Sequence, residues 1–353
     1  MDFNKLIASK DYDFLRTDPH VAGRIGLITL GGSHAYGTNV EGSDVDIRGF
    51  ALERQSDLIG FSNFEQLVNE KTDTVIYGFN KLIHLLLDCN PNIIEILGCK
   101  PEHYFAMSKI GKMLLDERHS FLSVKAANSF GGYATAQLRR LENAIARDKL
   151  PQSKKEEHIL GSLTRSLEEF EYRYSDFPAG SVKLFIDKSE RPERETEVFI
   201  EANFDKYPVR DFNIMLNTLS SVVGNYDKLN GRNHKKDEAH LNKHAMHLVR
   251  LYLMCFDILE KEKIVTYREK DRDFLLSIRN GYFMNEDGTY RQEFFDMISD
   301  YEKRLKYDKE NTSLPSKPKQ KQIEEFVVEI NRMIVDQSEA WLFTPVSASE
   351  IIV

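Results

Sequence analysis

The stretch LGGSHAYGTNVEGSDVDIRGF, residues 30 to 50, holds two groups that can act on a phosphate. Gly31 and Gly32 stand just before Ser33. Glycines reach backbone angles closed to other residues, so their N–H groups can turn toward an anion. Ser33 adds a hydroxyl at the same turn, and no Gly-Lys-Ser/Thr follows, so this is not a Walker A loop. Asp44 and Asp46 come next, two positions apart. On a strand, side chains at i and i+2 share a face, so the pair would present two carboxylates while Val45 and Ile47 turn toward the core. Such carboxylates repel unless a cation lies between them, and Mg²⁺ favours carboxylates combined with phosphate oxygens and water. The pair reads as a metal clamp completed by a nucleotide, set against a plain turn with two solvated aspartates. Arg48 shares their face, either as an ion-pair partner or as a phosphate contact.

The elements that must position these groups follow from apolar patterning. RIGLITL (24 to 30) reads as a buried strand ending at the two glycines. DVDIRGFAL (44 to 52) alternates as a half-buried strand does, and Glu65 to Tyr77 holds a third strand-like segment. Its two strand faces carry Asp73, Val75 and Tyr77 on one side and Glu70, Thr72 and Thr74 on the other. From Gly78 the period becomes helical, stopping near Asn90-Pro91. Beyond residue 100 the chain reads as mostly helical, over 121 to 148, 153 to 175, 208 to 226, 238 to 262 and 320 to 342. VKLFID (182 to 187) and TEVFIEANF (196 to 204) are expected to pair as a hairpin among these helices, and 308 to 320 to form a linker or loop.

Two helical faces carry further candidates. Tyr133, Gln137 and Arg140 recur at i, i+4 and i+7, a spacing that suits stacking on and hydrogen bonding to a base, or ordinary packing. Lys243, His247 and Arg250 recur in the same way. They read as a basic wall across a ligand cleft or as a solvated basic face, and His240, His244 and His247 raise zinc as an alternative.

Composition limits the function classes. The chain has 353 residues, 41% hydrophobic and 29% charged, with a formal net charge of -8. One large or two ordinary domains with a real core are expected. Coating of nucleic acid by bulk charge is excluded, so any such contact must be local. Cys89, Cys99 and Cys255 form no CxxC pair, which argues against a disulfide framework and for a reducing cytoplasm. No apolar run suits a membrane span, and the mixed, acidic N-terminus is not expected to be a signal peptide.

Gly-Ser followed by Asp-x-Asp resembles the DNA polymerase β-like nucleotidyltransferase superfamily. GGSHAYGT, SDVDIRG and NPNIIEIL look closer to one branch, the bacterial and phage nucleotidyltransferases associated with RNA-repair operons. A looser likeness extends through FGGYATAQLRRLE (130 to 142) and KHAMHLVRL (243 to 251). The resemblance implies an α+β fold, with a catalytic domain over 1–120 built on a mixed sheet. A mostly helical domain with a β-hairpin insert, over 121–353, would complete the nucleotide and acceptor cleft. It further implies two Mg²⁺ ions, with Mn²⁺ as a substitute, held by three carboxylates. These are Asp44, Asp46 and a third on the next strand, where DTVIY favours Asp73 while periodicity leaves Glu70 open. Gly32, Ser33 and neighbouring amides would hold the phosphates of an NTP, with ATP favoured. Arg48, Tyr133, Gln137, Arg140, Lys243, His247 and Arg250 complete the candidate nucleotide site. The expected reaction is transfer of NMP to an acceptor hydroxyl with release of pyrophosphate, the acceptor being an RNA 3′ end. The alternatives are AMP transfer to a protein side chain or small molecule, and a nucleotide-binding regulator without catalysis.

Overall fold

The computed structural model describes residues 3–149, 152–174, 176–178, 180–192, 195–227, 238–346 and 350. They form two compact units, and the later part of the chain contributes to both. Unit 1 comprises residues 1–137, 245–282 and 292–353, and unit 2 comprises residues 138–244 and 283–291.

Unit 1 is built on a five-stranded mixed sheet of β1 (Ile25–Leu30), β2 (Ile47–Ala51), β3 (Gln66–Asn69), β4 (Thr74–Gly78) and β5 (Tyr104–Met107). The spatial order is β3-β4-β2-β1-β5. β1 lies antiparallel to both β2 and β5, β2 runs parallel to β4, and β3 is antiparallel to β4. β1 is an interior strand buried along almost its whole length, and its run IGLITL is apolar apart from Thr29, whose hydroxyl donates to the His103 carbonyl. Phe50 of β2 is fully buried, with the helix Phe79–Leu87 contributing Phe79, Leu82 and Leu86 to the same core. Gly26 leaves room for the Phe50 ring, which a Cβ at that position would strike.

The segment from Glu65 to Tyr77 is two strands rather than one, because Asn69 breaks it. The Asn69 carboxamide oxygen accepts from the N–H groups of Lys71 at 3.1 Å and Thr72 at 3.3 Å. This local bond offers the backbone a turn in place of the ladder. The helix Phe79–Leu87 ends where expected, and Asn90 caps the next short helix, Pro91–Ile94, with Pro91 in its first turn. The first long helix starts at Lys125 and runs to Lys149, and Glu238–Lys261 forms as read from its periodicity. Among the described residues, three helices of eight residues or more lie outside the expected ranges, Lys109–Asp116, Arg272–Arg279 and Gln292–Asn311. The expected linker 308 to 320 is therefore helical at its start.

Unit 2 holds the helices Gln152–Arg173 and Val209–Asp227 and the antiparallel hairpin β6 (Val182–Lys188) and β7 (Thr196–Ala202). The hairpin is where the two β-rich runs predicted it. Leu163, Leu167, Phe170, Val182, Met215 and Leu219 belong to its core. Among the described residues, no helix is long and apolar enough to cross a membrane.

Because Phe50 fills the centre of the sheet, Phe50→Ala is expected to destabilise unit 1 by about 3–5 kcal/mol. Urea denaturation followed by circular dichroism measures this as a fall in midpoint.

Candidate active site

β1 delivers the chain to Gly31 at one end of the sheet. Leu30 pairs with Ile47, and Ile47 pairs with Thr74. The residue after β1 and the residues before β2 and β4 therefore meet at the same end of three neighbouring strands. Hydrogen bonds continue the alignment beyond the ladders. Gly31 N–H donates to the Asp46 carbonyl at 2.8 Å, and Ile47 N–H donates to the Asp73 carbonyl at 3.1 Å. The glycine turn, Asp46 and Asp73 are thus brought together from well-separated positions in the sequence.

Gly31 is the N-cap of a short helix, Gly32–Tyr36. The first turn of any helix leaves amide N–H groups without intrahelical partners. Gly32 has φ +55°, and a Cβ built on it would collide with Asp46 Oδ2. The Asp46 carboxylate therefore rests directly against the bare Cα of the turn. Arg48 Nη2 pairs with Asp46 Oδ1 at 3.0 Å, and the two side chains are 21% and 26% exposed. Arg48 Nη1 also donates to the carbonyls of Ile47 at 2.9 Å and Asp73 at 2.6 Å. Of the two roles open to Arg48 from sequence, the ion pair is the one present, and it also fastens β2 to the start of β4.

Asp44 departs from the strand expectation. β1 ends at Leu30, so no ladder is available to residues 43–46, and β2 begins only at Ile47. Asp44 is exposed just outside the sheet, and Val45 is half-buried rather than core-facing. Glu70 lies in the 3₁₀ turn Glu70–Thr72, whereas Asp73 stands at the mouth of β4 with φ 45°. An aspartate tolerates that left-handed conformation better than most residues. Both side chains are exposed. Among the described residues, no group of three or more His, Cys, Asp or Glu side chains is gathered so that it could hold a metal ion. That includes His240, His244 and His247.

A buried charged cluster sits close to the turn. The Tyr36 hydroxyl donates to Glu95 Oε2. The Arg250 guanidinium lies 3.6 Å from the Tyr36 ring centroid, and its Nη1 is 3.7 Å from Glu95 Oε2. Arg250 is 1% exposed and Glu95 4%. Arg250 Nη2 also meets His247 Nδ1 at 2.9 Å, while its Nε is buried with no hydrogen-bond partner. Burial pushes the Glu95 carboxyl above the usual carboxylate range; Arg250, the Tyr36 hydrogen bond and Arg48 pull it back, and Asp46 pushes it further up. Burial also raises the Tyr77 hydroxyl, against Arg48 and with Glu95. Asp46, Arg48, Tyr77 and Glu95 therefore share one electrostatic neighbourhood.

The other candidates are dispersed. Lys243 is exposed, His247 half-buried and Arg250 buried, so the three do not form one exposed basic face. Tyr133 is exposed and its hydroxyl accepts from Asn90 Nδ2 at 3.3 Å, while Gln137 is buried. Arg140 is exposed and, like Lys243, belongs to unit 2. Sequence reasoning missed Tyr36 and Glu95. The available signal was Glu95 itself, a lone carboxylate inside the apolar run IIEIL, which must find a partner if that run is buried.

Residues 12–163 match the model of the family RlaP, described as RNA repair pathway DNA polymerase beta family. The resemblance read from the opening motif is borne out over this stretch, which holds all five strands of the sheet, the glycine turn and the three aspartates. No curated protein and no solved structure gives a significant match.

Glu95→Gln keeps an acceptor for Tyr36 but leaves the Arg250 charge buried and uncompensated. It is expected to cost about 3–5 kcal/mol, and the double variant Glu95→Gln/Arg250→Met to recover most of that loss. Urea midpoints of the two variants, compared with the unsubstituted chain, measure the recovery.

Proposed function

With residues 12–163 in the RNA repair pathway DNA polymerase beta family, we propose that this chain is a nucleotidyltransferase that moves NMP from an NTP, ATP in the first instance, to an RNA 3′ hydroxyl. The observation that carries the reading is the meeting of the glycine turn, Asp46 and Asp73 at one end of β1, β2 and β4. Phosphoryl-transfer chemistry in general needs anion-holding groups beside carboxylates, and the family match favours nucleotidyl transfer among such reactions.

The turn amides and the Ser33 hydroxyl hydrogen-bond the β- and γ-phosphates, and the bare Gly32 lets them come close to the Asp46 carboxylate. The acceptor oxygen forms a bond to the α-phosphorus as the bond to the bridging oxygen breaks. Pyrophosphate leaves with that electron pair, and the hydroxyl proton passes to solvent. Arg48 fixes the direction of Asp46 through their ion pair. Arg250 acts through Tyr36 and Glu95, which pack at the end of the helix that begins at the turn. The donor set suits Mg²⁺. Asp44 and Asp46 offer oxygen ligands only, the Asp46 carboxylate resting against the bare Gly32 of the anion-holding turn, and Mg²⁺ typically takes one or two carboxylates with phosphate oxygens and water. Asp44 and Asp46 would hold it, and Asp73, whose carboxylate is not gathered with theirs here, would join as the third only with metal and nucleotide bound. Bound there, the metal supplies Lewis-acid stabilisation of charge on the phosphates.

Asp44→Asn and Asp46→Asn are each expected to lower label transfer from α-³²P-ATP to RNA by about a hundredfold or more, an effect of the size seen when a transition-state charge loses its stabilising group. Melting temperatures should stay within a few degrees of the unsubstituted chain. Asp73→Asn should lower transfer while Glu70→Gln leaves it intact. Near-normal labelling by the Asp44 or Asp46 variant would refute the assignment.

A further inference from the structure

Unit 1 contains a cavity of about 330 Å³ that the glycine turn and the aspartates leave unused. Its lining includes Lys100, Arg118 and Lys263, the imidazole of His119 and a single acid, Glu269, and the Tyr267 ring forms part of the wall. The whole chain carries a net charge of -8, so this gathering of cations runs against the composition. The volume is in the range of small-ligand pockets, about 300–1,000 Å³. Lys100 Nζ lies 3.6 Å from the Tyr267 ring centroid, which holds its ammonium at the wall by a cation–π contact. Tyr267 also packs on Gly37, the left-handed C-cap of the helix that starts at the glycine turn. The cavity wall is thereby continuous with the turn's own helix. None of Gly31, Gly32, Ser33, Asp44 and Asp46 lines the cavity.

We propose that this cavity receives a backbone phosphate of the single-stranded RNA whose 3′ end is the acceptor. The inference rests on the nucleotidyl-transfer reading. In that reaction two anionic substrates bind at once, and the turn and aspartates are committed to the NTP. An RNA acceptor is a polyanion that extends beyond its reacting nucleotide, and Lys and Arg contacts to its phosphates set register without reading sequence. A small hydroxylic acceptor would have no use for a second cationic cavity. Lys263 and His119 are the best probes, because both are exposed and neither makes an ion pair among the described residues.

The test is fluorescence anisotropy of a short, dye-labelled single-stranded oligoribonucleotide with the full-length protein, across a salt series. Lys263→Glu and His119→Glu are each expected to weaken binding about tenfold. They should also reduce the slope of log K against log salt by about 0.7 for each RNA phosphate that is no longer neutralised. Lys81→Glu, a charge reversal beside β3 at the sheet edge opposite β5, should bind RNA as the unsubstituted chain does, and thermal stabilisation by ATP with Mg²⁺ should be unchanged in all three. If the cavity variants bind RNA with unaltered affinity and slope while label still passes to RNA, this inference falls and the transfer reading stands. If the unsubstituted chain neither binds nor labels RNA but labels another acceptor, the RNA reading falls and this inference with it.

Discussion

The contact between the Asp46 carboxylate and the Cα of Gly32 is the constraint on which the site depends. It requires a residue without a side chain, held at φ +55°, on the chain just beyond β1. It also requires the residue before β2 to lie level with that turn, which the Leu30–Ile47 pairing and the Gly31-to-Asp46 hydrogen bond secure. Arg48 extends the arrangement to β4 by binding the Asp46 carboxylate and the Asp73 carbonyl together. Backbone register thus brings the anion-holding turn and the acid to one point. The short helix keeps its amides at that point only if its far end is held.

That far end is held by chain outside residues 12–163. Arg268 N–H donates to the Tyr36 carbonyl at 3.0 Å, Arg272 Nε to the Gly37 carbonyl at 2.8 Å and Arg279 Nη1 to the Thr38 carbonyl at 2.8 Å. Arg268 is itself fixed by Asp257 and Asp271. Thr266 donates its hydroxyl to the Glu95 carbonyl at 2.6 Å, and Arg250 supplies the charge that offsets the Glu95 carboxylate. The later chain of unit 1 therefore supports the turn rather than forming a separate layer. A buried pair such as Glu95 and Arg250 gives little net stability but is costly to break, which suits a positioning role.

The parts legible in the sequence are those with a local cause. Two glycines after a buried apolar run mark β1 and the turn, and the periodic stretch from Glu238 to Lys261 marks its helix. The β-rich runs around a charged turn mark the hairpin of unit 2. The helix Gln292–Asn311 is within reach of a periodicity reading, since Phe294, Ile298, Tyr301 and Leu305 recur at i, i+4, i+7 and i+11. β5 escapes such a reading because YFAM is too short to show a period. The strand is expected to begin at Asp44 but begins at Ile47, because alternation does not reveal where a ladder ends; that depends on where β1 stops. Arg250 is found by helical spacing but reads as a surface group. Its true partners, Tyr36 and Glu95, are distant in sequence, and no local pattern announces a buried ion pair.

The most direct measurement compares Gly32→Ala with Gly42→Ala. Both glycines have positive φ, +55° and +78°, so alanine strains the backbone at each. Only at Gly32 does the added Cβ strike Asp46; at Gly42 nothing lies within 4 Å. The account predicts that Gly32→Ala loses nearly all nucleotidyl transfer and ATP binding while keeping its circular dichroism spectrum, and that Gly42→Ala keeps both functions. Wild-type transfer by Gly32→Ala, or equal losses in the two variants, would contradict it.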